Sequence, residues 1–146
     1  QARLEGNVNR LMGSDYERKA ARRASRLVQR HMGVNDMRVI YAVTTPDDDQ
    51  LPKLLDQAVS AGRIVTGDAD EVENTDLVLN CPGLYIVAEV SVTLDGKDIR
   101  RAHKRASLLA QATEEPVKAA AIGTRALDSA VRSAAEHDVN IMILHE

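Results

Sequence analysis

A β-hairpin followed by alternating helices and strands constrains this chain more than any other feature of its sequence. Two β-forming segments, 76–81 and 84–92, are separated only by Pro82-Gly83, which predicts a tight hairpin. The segments that follow alternate in type: helix 95–112, strand 117–122, helix 127–137 and strand 139–144. A helix that connects two parallel strands makes a right-handed crossover and covers one face of the sheet. The sequence therefore predicts an α/β domain whose mixed β-sheet is flanked by helices.

The region before the hairpin predicts another strand and another helix. Residues 37–43 are rich in β-formers, and residues 51–61 have the pattern of a helix, with Pro52 in the first turn and Gly62 just past the end. Residues 63–74 are acidic, and we expect them to be irregular. The capping box Ser14 to Glu17 predicts a helix that reaches about residue 31. The predicted domain therefore covers residues 14–146.

Residues 1–13 predict the end of a separate, upstream helical segment. Because the sequence begins with Gln1 rather than Met, we interpret the chain as a piece of a longer protein. Three apolar residues follow the spacing of a coiled-coil seam: Leu4, Val8 and Leu11. A monomer would expose this stripe, so we expect a homo-oligomer, most simply a dimer formed through the N-terminal helix.

Composition narrows the classes of function. The chain has no Phe or Trp and 3 Tyr, which argues against modules that bind nucleic acid by stacking bases on aromatic rings. A single cysteine, Cys81, excludes an intramolecular disulfide and a multi-cysteine zinc site, and it fits a reducing cytoplasm. No apolar run approaches the roughly 18 residues of a membrane span. The net charge of −3 combines a basic segment over residues 1–35 with an acidic remainder.

Two carboxylates in the hairpin form the candidate site. Glu89 lies within a run of apolar β-formers, where an unpaired carboxylate is costly, and Asp76 begins the partner strand. Two carboxylates on adjacent strands can share a hard cation such as Mg²⁺ or Mn²⁺. The alternative is that Asp76 is a turn residue after Asn74-Thr75 and that the two acids belong to a structural network.

The element order and these residues resemble the PD-(D/E)XK nuclease superfamily. Asp76 matches the first acid of that family's motif, and Glu89 in Ala88-Glu89-Val90-Ser91 matches the second. Glu17 lies where many members carry a glutamate in the first helix. The resemblance implies a restriction-endonuclease-like core, a Mg²⁺ or Mn²⁺ ion held by Asp76 and Glu89, and DNA as the substrate.

The chain departs from the family motif at the lysine, whose place is taken by Ser91. A serine hydroxyl carries no charge and cannot stabilise charge at a phosphate as an ammonium does. Lys104 and Arg101 on the following helix are candidates to replace it, although the helical period places both, together with Arg100 and Arg105, on the outward face.

Two functions are therefore compatible with the sequence. The first is a Mg²⁺-dependent DNA endonuclease that uses Asp76 and Glu89, with Glu17 as a possible third carboxylate. The second is a catalytically inactive relative that serves as a dimerisation or protein-interaction module at the end of a coiled coil. Retention of the acid pair favours the first function, and loss of the lysine favours the second.

Overall fold

The computed structural model describes residues 23, 26–33, 36–42 and 50–144. Five strands form one mixed sheet in the order β1-β2-β3-β5-β7, namely β1 (Arg38–Ala42), β2 (Leu77–Cys81), β3 (Leu84–Val90), β5 (Val117–Gly123) and β7 (Val139–Ile143). The first three strands are antiparallel neighbours, whereas β3, β5 and β7 run parallel. The predicted α/β class, with a mixed sheet flanked by helices, is confirmed.

Helices cover both faces of the sheet. The described helices are α1 (26–32), α2 (Gln50–Ser60), α3 (Thr66–Glu73), α4 (Gly96–Thr113) and α5 (Asp128–His137). One apolar layer joins α2 to α5 with strand residues such as Val78, Val87 and Ala121. A second layer joins α1 to residues on the opposite strand face, such as Ile86 and Ala88. The alternation of side chains along β3 therefore decides which residues face α4.

Turn chemistry explains several of the element boundaries. Gly33 and Gly62 follow helices and have positive φ of 66° and 75°, a conformation that glycine adopts at low cost. Gly83 has φ of 75° in the two-residue hairpin connection, as the Pro82-Gly83 pair predicted.

A two-stranded parallel ribbon extends the sheet beyond the carboxyl end of β3. It consists of β4 (Thr93–Leu94) and β6 (Arg125–Ala126). Gly123, the last residue of β5, packs against the segment that leads into this ribbon. A Cβ atom there would lie 2.5 Å from the Ser91 carbonyl oxygen, so the close approach requires glycine.

Two sequence predictions were wrong. Residues 63–74 are not irregular, because they contain α3, whose Ala69 and Val72 are buried in the core. The acidic residues of this helix hid the short apolar pattern. Arg105 does not face outward with its basic neighbours; it is 8% exposed and lies among core residues.

The predictions for the N-terminal segment lie outside the described residues. These are the coiled-coil residues 1–13 and the capping box of Ser14 and Glu17. Within the ranges that the structure describes, no helix combines the length and apolar character needed to cross a membrane.

Candidate functional site

The hairpin brings Asp76 and Glu89 together at the carboxyl end of β3. Leu77 pairs with Ala88 in the antiparallel register, so Asp76 and Glu89 occupy the next opposed positions. Opposed residues of an antiparallel pair project from the same face of the sheet. Both acids therefore lie on the face that packs against α4, at the edge of the sheet where ligands bind in open α/β folds.

Asp76 is fixed by the backbone of the neighbouring strand. Its Oδ2 accepts a hydrogen bond of 2.8 Å from the Val90 N–H. Burial raises the pKa of Asp76, and this hydrogen bond opposes the rise because it stabilises the ionised form. Asp76 is therefore more than a turn residue, because its carboxylate accepts a hydrogen bond from the N–H of Val90 in β3.

Glu89 is buried and paired with an arginine from α4. Glu89 is 3% exposed as a residue, and its Oε1 accepts a 2.8 Å hydrogen bond from Arg105 Nη1. Arg105 Nε also donates to Glu71 Oε2 over 2.7 Å, and its Nη1 donates to the Asn74 carbonyl over 3.1 Å. Arg105 thus ties α3, α4 and β3 together through one guanidinium group.

The second oxygen of Glu89 is the feature that a structural ion pair leaves unexplained. Glu89 Oε2 is buried and has no hydrogen-bond partner among the described residues. Burial and the adjacent charge of Asp76 raise the pKa of Glu89 to about 8, despite the opposing charges of Arg105 and Arg101. The charge of Asp76 therefore adds to the cost of ionising Glu89, and a divalent cation would relieve that cost.

Arg101 supplies positive charge on the open side of the acid pair. Its Nε lies 3.8 Å from Glu89 Oε1, and its Nη2 donates to Asp98 Oδ1. Asp98 also forms a reciprocal capping box with Asp95 at the start of α4. Because the Arg101 side chain remains 47% exposed, its guanidinium can contact a group that arrives from solvent.

Ser91 lies just beyond β3 and takes no part in the acid cluster through the bonds described. Its Oγ donates to the Thr93 carbonyl oxygen over 3.0 Å, and its N–H donates to the Ile122 carbonyl oxygen over 3.0 Å. Lys104, the other candidate to replace the motif lysine, pairs with Glu71 at 3.7 Å. Of the two candidates, Arg101 is the one within 4 Å of Glu89. Glu17 lies outside the described residues.

The sequence interpretation missed Arg105 and Glu71 as parts of this site. The helical position of Arg105 indicates that it is buried, because it continues the inward stripe formed by Ala102, Leu109 and Ala112. A charged residue on an apolar stripe requires a buried partner, and Glu89 is an acid that needs one. The link to Glu71 has no such signal, since α3 was not predicted.

The residues fit a hard divalent cation in part. Asp76 and Glu89 offer carboxylate oxygens, the ligands that Mg²⁺ prefers, and Glu89 Oε2 is free to bind. The described residues contain no group of three or more His, Cys, Asp or Glu side chains arranged for a metal. An ion held here would therefore keep water or substrate oxygens in its other positions, as Mg²⁺ commonly does.

Comparison with known proteins gives no relative: no protein-family model, curated protein or solved structure matches this chain.

Proposed function

We propose that this chain is a PD-(D/E)XK nuclease-like domain that cleaves DNA with Mg²⁺ or Mn²⁺ held by Asp76 and Glu89. The observation that carries the proposal is the buried pair itself, in which Glu89 Oε2 has no hydrogen-bond partner among the described residues and the charge of Asp76 adds to the burial that raises the pKa of Glu89. A purely structural network would be expected to satisfy such an oxygen.

The order of elements supports the same assignment. A helix and a strand precede the hairpin that carries both acids, with α2 and α3 inserted between that strand and the hairpin, and a helix and a parallel strand follow it. The site lies at the carboxyl end of the central strand β3, beside the start of β2. This arrangement agrees with the restriction-endonuclease-like core that the sequence resemblance implies.

Each described side chain has a defined part in this proposal. A bound Mg²⁺ would supply a water of lowered pKa and would offset charge on a phosphodiester. Asp76 and Glu89 would hold the ion, and Arg105 fixes the Glu89 carboxylate through Oε1. Arg101 would stabilise negative charge on the phosphate from the exposed side. The uncharged Ser91, which stands in the place of the motif lysine, cannot do this.

The proposal also includes the setting of the domain. We place it in the cytoplasm, because its one cysteine, Cys81, is free and buried. We further propose that the chain forms a homodimer through the apolar stripe of Leu4, Val8 and Leu11.

A plasmid-nicking assay tests the nuclease function. With Mg²⁺ or Mn²⁺, we expect weak nicking by the parent, loss of nicking in Asp76→Asn and Glu89→Gln, and a decrease of at least about tenfold in Arg101→Gln. Ser91→Lys should increase nicking, because it places an ammonium group next to the acid pair. The matched control is Glu115→Gln, which changes an exposed acid near Tyr85, at the opposite end of β3 from the acid pair, and should leave nicking unchanged.

A catalytically inactive interaction module is the second candidate. The observation in its favour is that Arg105 already occupies Glu89 Oε1 and joins it to Glu71. If parent and Ser91→Lys both fold and neither nicks DNA with either metal, the inactive module is the correct assignment. Nicking that persists in Glu89→Gln would indicate a contaminating nuclease and would also contradict our site.

A further inference from the structure

We infer that one exposed face of α4 is a binding surface for the phosphate backbone of double-stranded DNA. The surface, here the basic ridge, consists of Lys97, Arg100, Arg101 and Lys104, all of them exposed. Their spacing of three, one and three residues places them within an arc of about 100° on a helix of 3.6 residues per turn. This inference rests on the proposed function, because the ridge would present DNA to the acid pair.

The charge of the ridge is available to a partner. Neither Lys97 nor Arg100 forms an ion pair with an acid among the described residues. Lys104, with 66% of its side chain exposed, is shared with Glu71, and Arg101, with 47% of its side chain exposed, is shared with Asp98 and Glu89. Four adjacent cations without an exposed acid between them are unusual on a chain whose net charge is −3.

The ridge leads directly to the candidate site. Arg101 belongs to it and also lies 3.8 Å from Glu89 Oε1. From Lys97 to Lys104 the helix advances by about 10 Å, at 1.5 Å per residue. This length corresponds to about three phosphates of one strand, which are spaced by about 3.4 Å along the duplex axis. A backbone that follows the ridge would therefore pass beside the acid pair.

The observations favour duplex DNA over other polyanions. Single-stranded nucleic acid is bound by stacking on aromatic rings, and α4 has no Phe, Tyr or Trp. Its one aromatic ring, that of His103, already packs against the ring of His137, with centroids 4.6 Å apart. Binding to a membrane would require the apolar face of α4, which is buried against the sheet in Ile99, Ala102, Ala106 and Leu109. The wide major groove of B-form DNA admits an α-helix, whereas that of A-form RNA is narrow.

Equilibrium binding of a fluorescently labelled DNA duplex in EDTA tests the inference without cleavage. The logarithm of the binding constant should fall linearly with the logarithm of salt concentration, with a slope of about −0.9 per phosphate contact. We expect the slope to become less steep by about 1.8 in Lys97→Gln/Arg100→Gln. Lys118→Gln, an exposed cation at the start of β5, is the matched control and should leave the slope unchanged.

Several outcomes would overturn the ridge. These are no binding of the duplex by the parent, an unchanged slope in the double variant, or tighter binding to duplex RNA, single-stranded DNA or vesicles of anionic lipid. The proposed function can fail separately from the ridge. If the parent binds duplex DNA through the ridge but never nicks it with Mg²⁺ or Mn²⁺, the binding surface is supported and the nuclease function is contradicted. The exposed positions of Lys97 and Arg100 ensure that the variants can be compared as folded proteins.

Discussion

Replacing Arg105 by methionine is expected to lower the free energy of unfolding by about 3–5 kcal/mol, the largest effect of any single change at the site. The substitution leaves Glu89, at 3% exposure, without the guanidinium that binds its Oε1. It also removes the 2.7 Å hydrogen bond to Glu71. Urea unfolding at pH 7 measures the loss.

The pH dependence identifies the cause of this loss. Glu89 has a pKa of about 8 in the folded protein, against 4.5 for an unperturbed glutamate, so the folded state binds its proton more tightly than the unfolded state. Stability from this group is present below the unfolded pKa and declines as the pH rises towards 8. Without Arg105 the folded pKa of Glu89 rises further, so the deficit of Arg105→Met should grow as the pH rises above about 8.

Two variants serve as controls for Arg105→Met. Lys104→Met removes the other cation beside Glu71, at 3.7 Å, but its side chain is 66% exposed and the expected loss is below about 1 kcal/mol. Adding Glu89→Met to Arg105→Met should recover much of the stability, because the buried carboxyl group that lost its guanidinium partner is gone. Equal losses for Arg105→Met and Lys104→Met would contradict the role given to the buried pair.

Gly123→Ala is expected to destabilise the protein by about 3 kcal/mol. An added Cβ would lie 2.5 Å from the Ser91 carbonyl oxygen and 2.8 Å from Leu94 Cγ, distances that real Cβ atoms do not tolerate. The backbone of the 91–94 segment would have to move, and with it the end of β3 that carries Glu89. Urea unfolding at 25 °C gives the magnitude.

Gly67→Ala is the matched control and should have the opposite sign. Gly67 lies in α3 with no heavy atom within 4 Å of an added Cβ, and its φ is not positive. Because alanine favours the helix over glycine, we expect a gain of up to about 1 kcal/mol. A Gly123→Ala variant as stable as the parent would show that the approach of β5 to Ser91 is not constrained.

The alternation along the hairpin made the acid pair predictable from sequence. Glu89 stands out as an acid among apolar β-formers, and the two-residue turn fixes the register that opposes it to Asp76. Two local rules predict the positions of Asp76, Glu89 and the parallel strands. These rules are the two-residue period of side chains along a strand and the length of each connection between elements.

The partners of the pair were not predictable by the same rules. Arg105 was assigned to the basic outer face because four basic residues lie close together between 100 and 105, whereas packing against β3 separates it from the others. Arg101 lies on the outer face, as predicted, and still reaches Glu89 because its side chain is long. Local periodicity gives the direction of a Cβ atom and does not give the reach of an arginine.

Thermal melting in Mg²⁺ or Mn²⁺ at several pH values tests most directly the claim that Asp76 and Glu89 form a metal site. We expect a metal-dependent rise of about 4 °C at a tenfold excess over Kd, because an ion that binds the native state stabilises it. The rise should increase from pH 6 to pH 8, since the ion must displace the proton of Glu89, whose pKa is about 8. Asp76→Asn and Glu89→Gln should abolish it, and the exposed control Asp128→Asn should preserve it. The absence of any rise at millimolar metal, or a rise of the same size in Glu89→Gln, would contradict the metal site.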